Sequence, residues 1–491
     1  MASITLHAGD NRDSLRRLID QGVRVHAVVC DPPYGLVSIQ RRFGKEGSKP
    51  ARTEKNDGSF ARLSGGFMGK KWDATGIERD PEFWRLIYEI LLPGGYVFAF
   101  SGSRTGHWQA VAMEVAGFVM HPMHGWCFGS GFPKAHAADK AIDKMMGTPG
   151  SVVAAGKPVR RMIPGADQHR TGSWIKDDDR DYQPGTYLPG SDEAAQWEGW
   201  AYGTQAQKPA LEPIYLGQKP FSEHSGAANL LRHGVGAVNI AGCRVPITPG
   251  ADERQLRTMN RGERGDDGWG MGATADATVL RQEGRHPSNL ILDGSAEVLA
   301  MFPSTKSGTG TVKRQSAADR DGNKGAAYGA ESRAAGTPMV AYGDEGSAAR
   351  FFHQFRRYAC EKCQDTGEIY TPMAFIGDSP SLEPCECGGP LVIPPLFYQA
   401  KAGKSDRAGS NHPTVKPIAL LRYLIRHITP LGGVVLDPFA GSGTTAEAAR
   451  QEGFDCVLME ADPDYVAFLR RRFGLPAPID HDFDDIFGAA A

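Results

Sequence analysis

Four consecutive residues, Asp31-Pro32-Pro33-Tyr34, directly follow the apolar run Val25 to Cys30. They set a carboxylate, two rigid carbonyls and an aromatic ring at the carboxyl end of a strand. That combination suits one chemical problem. An exocyclic amino group on a heterocyclic base is a poor nucleophile, because its lone pair is delocalised into the ring. If Asp31 accepts one N–H and the Pro32 carbonyl the other, the nitrogen can pyramidalise and aim its lone pair at an electrophilic methyl. Tyr34 would stack on the base, and a base within a duplex reaches such a turn only by leaving the stack. Taken alone, the tetrapeptide also reads as a proline-stiffened surface turn.

A second constellation lies near the other end of the chain. Val434 to Thr445 reads VVLDPFAGSGTT, a buried strand with an acid at its carboxyl end, a glycine turn and a helix start. Gly441 and Gly443 let backbone approach a ligand, and the helix N-terminus at Thr444 offers unpaired N–H groups. A nucleoside triphosphate is disfavoured, since no Lys precedes the Thr. A nicotinamide dinucleotide fits the glycine spacing, with Glu460 at the end of the next strand as its ribose acid. Asp437 tips the balance, because a carboxylate at the turn repels a pyrophosphate but accepts from the ammonium of a methionine moiety. The favoured cofactor is therefore S-adenosylmethionine, with Glu460 accepting both ribose hydroxyls.

The elements that must position these residues sit at both ends of the chain. Ile4 to Leu6 and Val25 to Cys30 read as strands around a helix over Asp13 to Ile19. A helix over Pro81 to Leu92 is broken by Pro93-Gly94-Gly95 before a strand over Tyr96 to Phe100. The C-terminal part repeats that grammar, with a helix over Ile418 to Ile428, strands over Val434 to Leu436 and Cys456 to Met459, and a helix over Thr445 to Gln451 between them. Asp462, Pro463 and Gly474 frame a last helix. Between the ends lie some 250 weakly periodic, glycine-rich residues, read as an insertion into a sheet split between the chain's ends.

Composition narrows the class. The 491 residues carry 55 Lys and Arg against 57 Asp and Glu, so no global field draws the chain to a polyanion. The basic field is local: Ser38 to Lys71 holds nine Lys/Arg and three Asp/Glu, followed by Trp72. Leaving the catalytic edge, this stretch could clamp phosphates while Phe67, Met68 or Trp72 wedges the duplex. Neither an N-terminal signal segment nor an apolar run of membrane-spanning length is visible. Cys360 and Cys363, then Cys385 and Cys387 after 21 intervening residues, have the spacing of a structural zinc site in a reducing compartment, not of a disulfide framework.

With both motifs in one chain, the sequence resembles the β-class amino-group DNA methyltransferases, in which the Asp-Pro-Pro-Tyr motif precedes the cofactor motif. The resemblance covers roughly Ile4 to Pro133 and Phe397 to Phe473. It implies an α/β fold, a Rossmann-like S-adenosylmethionine-dependent methyltransferase sheet, circularly permuted, with a large irregular recognition region inserted. The implied division is an N-terminal half over residues 1–140, an inserted target-recognition region over 141–395 with a zinc-ribbon-like module at 358–390, a C-terminal half over 396–475, and an acidic tail over 476–491. By the same resemblance Asp10 contacts the cofactor adenine, the segment with Thr414 and Lys416 closes over the methionine end, and Phe439 packs on the cofactor. Asp31, Pro32, Pro33 and Tyr34 form the catalytic turn. The implied substrate is duplex DNA and the implied target adenine N6, with cytosine N4 as the alternative and an RNA or protein methyltransferase or a non-catalytic nucleic-acid-binding protein behind it. A homodimer and a cognate restriction nuclease stay open as partners, and a membrane is not expected. The implied setting is the cytoplasm of a bacterial cell or phage-infected host.

Overall fold

A computed structural model describes residues 2–35, 75–129, 135–154, 185–203, 205–245, 284–306, 345–354, 404–410 and 415–476, with shorter stretches between them. Local chemistry sets its helices. In α1 (Asn11–Asp20) the Asp10 carboxylate caps the start by accepting the Arg12 N–H, and in α2 (Pro81–Ile90) Asp80 caps and Pro81 opens the first turn. Helix α3 spans Gly106–Val115, α4 Ile418–Ile428, α5 Thr444–Glu452 and α6 Pro463–Phe473. The last is framed as its sequence predicts, by an Asp462 cap and a left-handed Gly474.

The strands of the main sheet are β1 (Ile4–Ala8), β2 (Val25–Cys30), β3 (Leu91–Phe100), β4 (His124–Cys127), β5 (Leu211–Gln218), β6 (Leu290–Leu292), β7 (His353–Gln354), β8 (Val434–Asp437) and β9 (Asp455–Glu460). Their spatial order is β1-β9-β8-β2-β3-β5-β4-β6-β7, with a short strand at Val119–Met120 also pairing β5. The first five run parallel, and β5 is antiparallel to both its neighbours. The C-terminal strands β8 and β9 thus seat between the N-terminal β1 and β2, giving the expected Rossmann-like, circularly permuted sheet. Both faces are buried, as a parallel sheet requires. Ala27, Val29, Phe98, Phe100 and Val435 face one core with α4 and α5, while Val28, Val97, Ala99 and Leu436 face the other with α1, α2 and α3. Glu452 on α5 takes the guanidinium groups of Arg422 and Arg426, at 2.7 and 2.5 Å, and so ties α5 to α4.

Two expectations are corrected. Pro93-Gly94-Gly95 does not separate helix from strand. Helix α2 stops at Ile90 and β3 starts at Leu91, where the register against β2 shifts. Gly94, at φ +87°, absorbs that irregularity. Nor does the sheet come only from the chain's ends, because residues 141–395 supply β5, β6 and β7. Strand β5 bridges β3 and β4, so part of the presumed insertion is central.

A buried polar knot lies where α4 meets the sheet. His427 is 5.8 Å by ring centroid from both His124 and Tyr423, and His353 is 4.3 Å from Tyr423. Burial pushes His124, His353 and His427 each down to about 4. Because those folded values lie below the ordinary 6.5, the unfolded chain binds more protons between pH 6.5 and 4. The histidines' contribution to stability is therefore full above pH 6.5 and falls below it, by up to about 1.4 kcal/mol per pH unit for each histidine. Thermal melting across pH 4–7 should show this loss, and His427→Phe should make it shallower. An unchanged slope in the variant would refute the assignment.

Candidate active site

Strand order reverses between β8 and β2, and their carboxyl ends form the crevice where open α/β sheets bind ligands. Asp437 ends β8 and its Oδ1 accepts the Phe439 N–H at 3.0 Å. The following turn needs its glycines, with Gly441 at φ +51° and Gly443 at φ +77°. Gly443 has a second reason to be glycine. A Cβ there would lie 2.5 Å from Leu469 Cδ2 and 2.7 Å from Phe473 Cε2. Its bareness serves the packing of α6 on the turn, whereas the sequence suggests only approach to a ligand. Arg472 from α6 also donates to the Ser442 carbonyl at 2.7 Å.

Three carboxylates converge on this turn. Burial pushes Asp437 up to about 7; hydrogen bonds from Thr445 and the Phe439 N–H oppose the shift, and Asp31 and Glu460 add to it. Glu460, raised by burial, accepts the Gly441 N–H at 2.7 Å and the Asp462 N–H at 2.8 Å. Among the described residues no cation lies within ion-pair distance of Asp437. Asp10 sits one residue from Gly9, whose N–H donates to the Glu460 carbonyl at 2.9 Å, and Asn11 donates to the Pro438 carbonyl at 3.1 Å. The Asp10 turn thus lies beside the glycine turn, while its own carboxylate caps α1.

Asp31 stands across the crevice. Its Oδ2 receives Lys416 Nζ at 2.5 Å, its buried Oδ1 has no well-formed hydrogen bond among the described residues, and the Tyr34 hydroxyl nearby helps to hold the carboxyl ionised. Lys416 also lies 3.8 Å from Glu212 Oε2, an oxygen that takes the Tyr34 hydroxyl at 3.4 Å. The Lys416 ammonium rests 5.3 Å from the Tyr34 ring centroid and 4.9 Å from that of Phe100. Burial raises Asp31 despite Lys416. The same burial would lower Lys416, but the charges of Asp31 and Glu212 outweigh it and hold the ammonium protonated. Pro32 and Pro33 are buried, and the Tyr34 carbonyl accepts from Thr105 Oγ1 at 2.6 Å.

The structure thus brings together Asp31, Lys416, Asp437, Gly441 and Thr444, which line one cavity. Lys416, anticipated only at the methionine end of a cofactor, also pairs with the Asp-Pro-Pro-Tyr acid while lining the cavity beside the glycine turn. The Phe439 ring lies 5.3 Å from that of Phe83, partly buried against the α2 side of the core. Glu212 is the residue the sequence reading missed. Its signal was faint, a single acid within the apolar run Leu211 to Leu216. Thr414, Cys363, Cys385, Cys387 and the basic stretch 38–71 lie outside the described residues, and Cys360 is described only as the end of a strand over Arg357–Cys360. Among the described residues no group of three or more metal-ligating side chains occurs, and no helix is long and apolar enough to cross a membrane.

Comparison with known proteins supports the resemblance. Residues 354–471, which include Asp437, the glycine turn and Glu460, match a family model described as DNA methylase, of the N6/N4 type. The Type II methyltransferase M2.DpnII of Streptococcus pneumoniae is 38% identical over 69 residues, 14% of this chain and 26% of that protein. M.ScaI of Streptomyces caespitosus, also a Type II methyltransferase, is 38% identical over 74 residues, 15% of this chain and 24% of that protein. The chain spans about a quarter of the length of these curated relatives. Among solved structures, the M1.HpyAVI–SAM complex aligns over 96% of this chain and 99% of its own at 12% identity and a TM-score of 0.32. The cytosine-N4-specific PvuII DNA methyltransferase aligns over 96% and 87% at 12% identity and a TM-score of 0.34. Scores this low assign nothing to the chain. The family match does bear out the resemblance to amino-group DNA methyltransferases, in the segment that carries the cofactor motif.

Proposed function

We propose that the protein transfers a methyl group from S-adenosylmethionine to the exocyclic N6 of an adenine flipped out of duplex DNA. The observation that carries this reading is Asp31 Oδ1, a buried acceptor with no well-formed hydrogen bond among the described residues, in the wall of the cavity that Asp437 and the glycine turn share. A desolvated acceptor left unpaired is costly unless a ligand donor completes it. An amino N–H is such a donor. Cytosine N4 offers the same donor, and the Asp at the first motif position favours adenine by resemblance to the family. The four-cysteine set belongs to the same reading as a structural zinc site.

The residues fit the cofactor. Asp437 is a buried carboxylate with no cation in ion-pair distance among the described residues, so an ammonium is the complement it lacks, whereas a pyrophosphate at the glycine turn would meet the like charges of Asp437 and Glu460. Asp437 would hold the methionine ammonium and Glu460 the ribose. The cofactor, when bound, supplies a sulfonium methyl whose C–S electron pair stays with sulfur. Asp31 orients the target amine, and Tyr34 supports the base.

The test is to incubate the protein with methyl-labelled cofactor and unmethylated duplex DNA, digest to nucleosides and weigh the labelled base. N6-methyl-2′-deoxyadenosine is the expected product. N4-methylcytosine would reverse the choice of base, and unlabelled DNA from protein that binds the cofactor would overturn the reading. Asp437 adds a pH signature. With its carboxyl titrating at about 7, affinity for the cofactor should rise by about tenfold or more from pH 5.5 to 7.5, as the carboxylate forms. Calorimetric titration reads this, and a flat profile in wild type, matching that of Asp437→Asn, would exclude the ammonium role.

A further inference from the structure

We propose that Glu212 and Lys416 are positioning residues for Asp31: Lys416 clamps Oδ2 so that only Oδ1 meets the target nitrogen, and Glu212 shares the ammonium so that Oδ1 can take that nitrogen's proton. This rests on the amino-group reading above and deepens it. The cluster joins three distant parts of the chain, the turn after β2, strand β5 and the segment before α4. Lys416 is only 7% exposed and stands between the two carboxylates, 2.5 Å from Asp31 and 3.8 Å from Glu212. The rings of Tyr34 and Phe100 flank the ammonium.

An aspartate paired with one buried lysine alone is held as the carboxylate and takes a proton reluctantly. A second carboxylate on the same ammonium offsets that hold. The groups facing Asp31 are Lys416, which favours its charge, and Glu212, which opposes it, with Tyr34 beside it and Cys30 and Asp437 behind. Burial raises the Tyr34 hydroxyl and the Cys30 thiol far enough that both stay neutral. Once the amine has given its lone pair to the methyl carbon, the nitrogen is cationic. Its N–H bond then breaks as an O–H bond forms at Asp31 Oδ1, and Asp31 returns the proton to water when the neutral product leaves.

Glu212→Gln and Lys416→Met, both checked for folding by thermal melting, carry the test. The first readout is the titration of the ¹³C-labelled Asp31 carboxyl in protein free of cofactor and DNA, its signal assigned by loss in Asp31→Asn. Glu212→Gln should move the midpoint down by about one pH unit and Lys416→Met should move it up by at least as much. The second is the pH profile of methyl transfer. Glu212→Gln should shift the acid limb down and lower kcat about tenfold, with KM for the cofactor within about twofold, and Glu212→Asp should restore most of the loss. Midpoints that stay put or move together overturn the proposal even if wild-type protein methylates DNA. Opposite displacements in a protein that methylates no DNA keep the charge-sharing cluster and remove the amino-group reading instead.

Discussion

Under the proposed reaction, Asp31→Ala is expected to reduce methyl transfer to duplex DNA by about 10³-fold or more, the range over which a positioned proton acceptor and its electrostatics act. Three effects coincide at this side chain. The acceptor that Oδ1 offers to the target amine disappears, so the nitrogen keeps its lone pair in the ring. The proton that the amine must lose has no buried oxygen to go to. The Lys416 ammonium, 2.5 Å from Oδ2 in the intact protein, is left to Glu212 at 3.8 Å. Cofactor affinity should change only a few-fold, because Asp437, Glu460 and the glycine turn are untouched. Asp31→Asn keeps an acceptor oxygen without the charge and should fall between the two. Single-turnover transfer and calorimetric cofactor titration separate these effects, and an alanine variant within about tenfold of wild type would remove Asp31 from the chemistry.

Gly443→Ala should cost the fold about 2–5 kcal/mol, a large share of the roughly 5–15 kcal/mol that holds a domain together. The first part is conformational, since Gly443 sits at φ +77°. The second is steric, since the new methyl would press on Leu469 and Phe473 at 2.5 and 2.7 Å. Helix α6 must then lift from the turn, taking with it the Arg472 bond to the Ser442 carbonyl. Gly453 is a built-in control. It has φ +83° but no atom within 4 Å of an added Cβ, so Gly453→Ala should show only the conformational part, about 1–2 kcal/mol. Urea unfolding of the two variants measures the difference, and equal losses would mean that the α6 contact carries no weight.

The ends of the chain were legible because their signals are local. Asp462 caps the last helix as its sequence predicts, and Ile418–Ile428 came out with its expected bounds. Strand β5 was not legible. Pro213 interrupts it, and proline in a run otherwise reading as a central strand argues against that assignment. The position is tolerated because Pro213 precedes Ile214, the residue at which pairing with β3 begins, so the missing N–H faces no β3 acceptor. Without β5 in the sheet, nothing in the sequence could bring Glu212 to Asp31 across 181 residues. Lys416 shows the same limit from the other side. Its neighbourhood in sequence pointed to the cofactor segment, but its partner was set by how α4 docks against β2 and β3.

What the sequence determined by itself was the chemistry on offer. Residue type and spacing place an acid before two prolines and a tyrosine, and another acid before a glycine turn, and each of these is a property of a few consecutive residues. Tertiary structure decided which charges meet. Seating β8 beside β2 brings Asp437 and Asp31 to one crevice, and β5 adds Glu212 to the far side of Lys416. The reason is physical: burial and like charge fix protonation only over a few ångströms, and those distances exist only once residues hundreds of positions apart share a sheet.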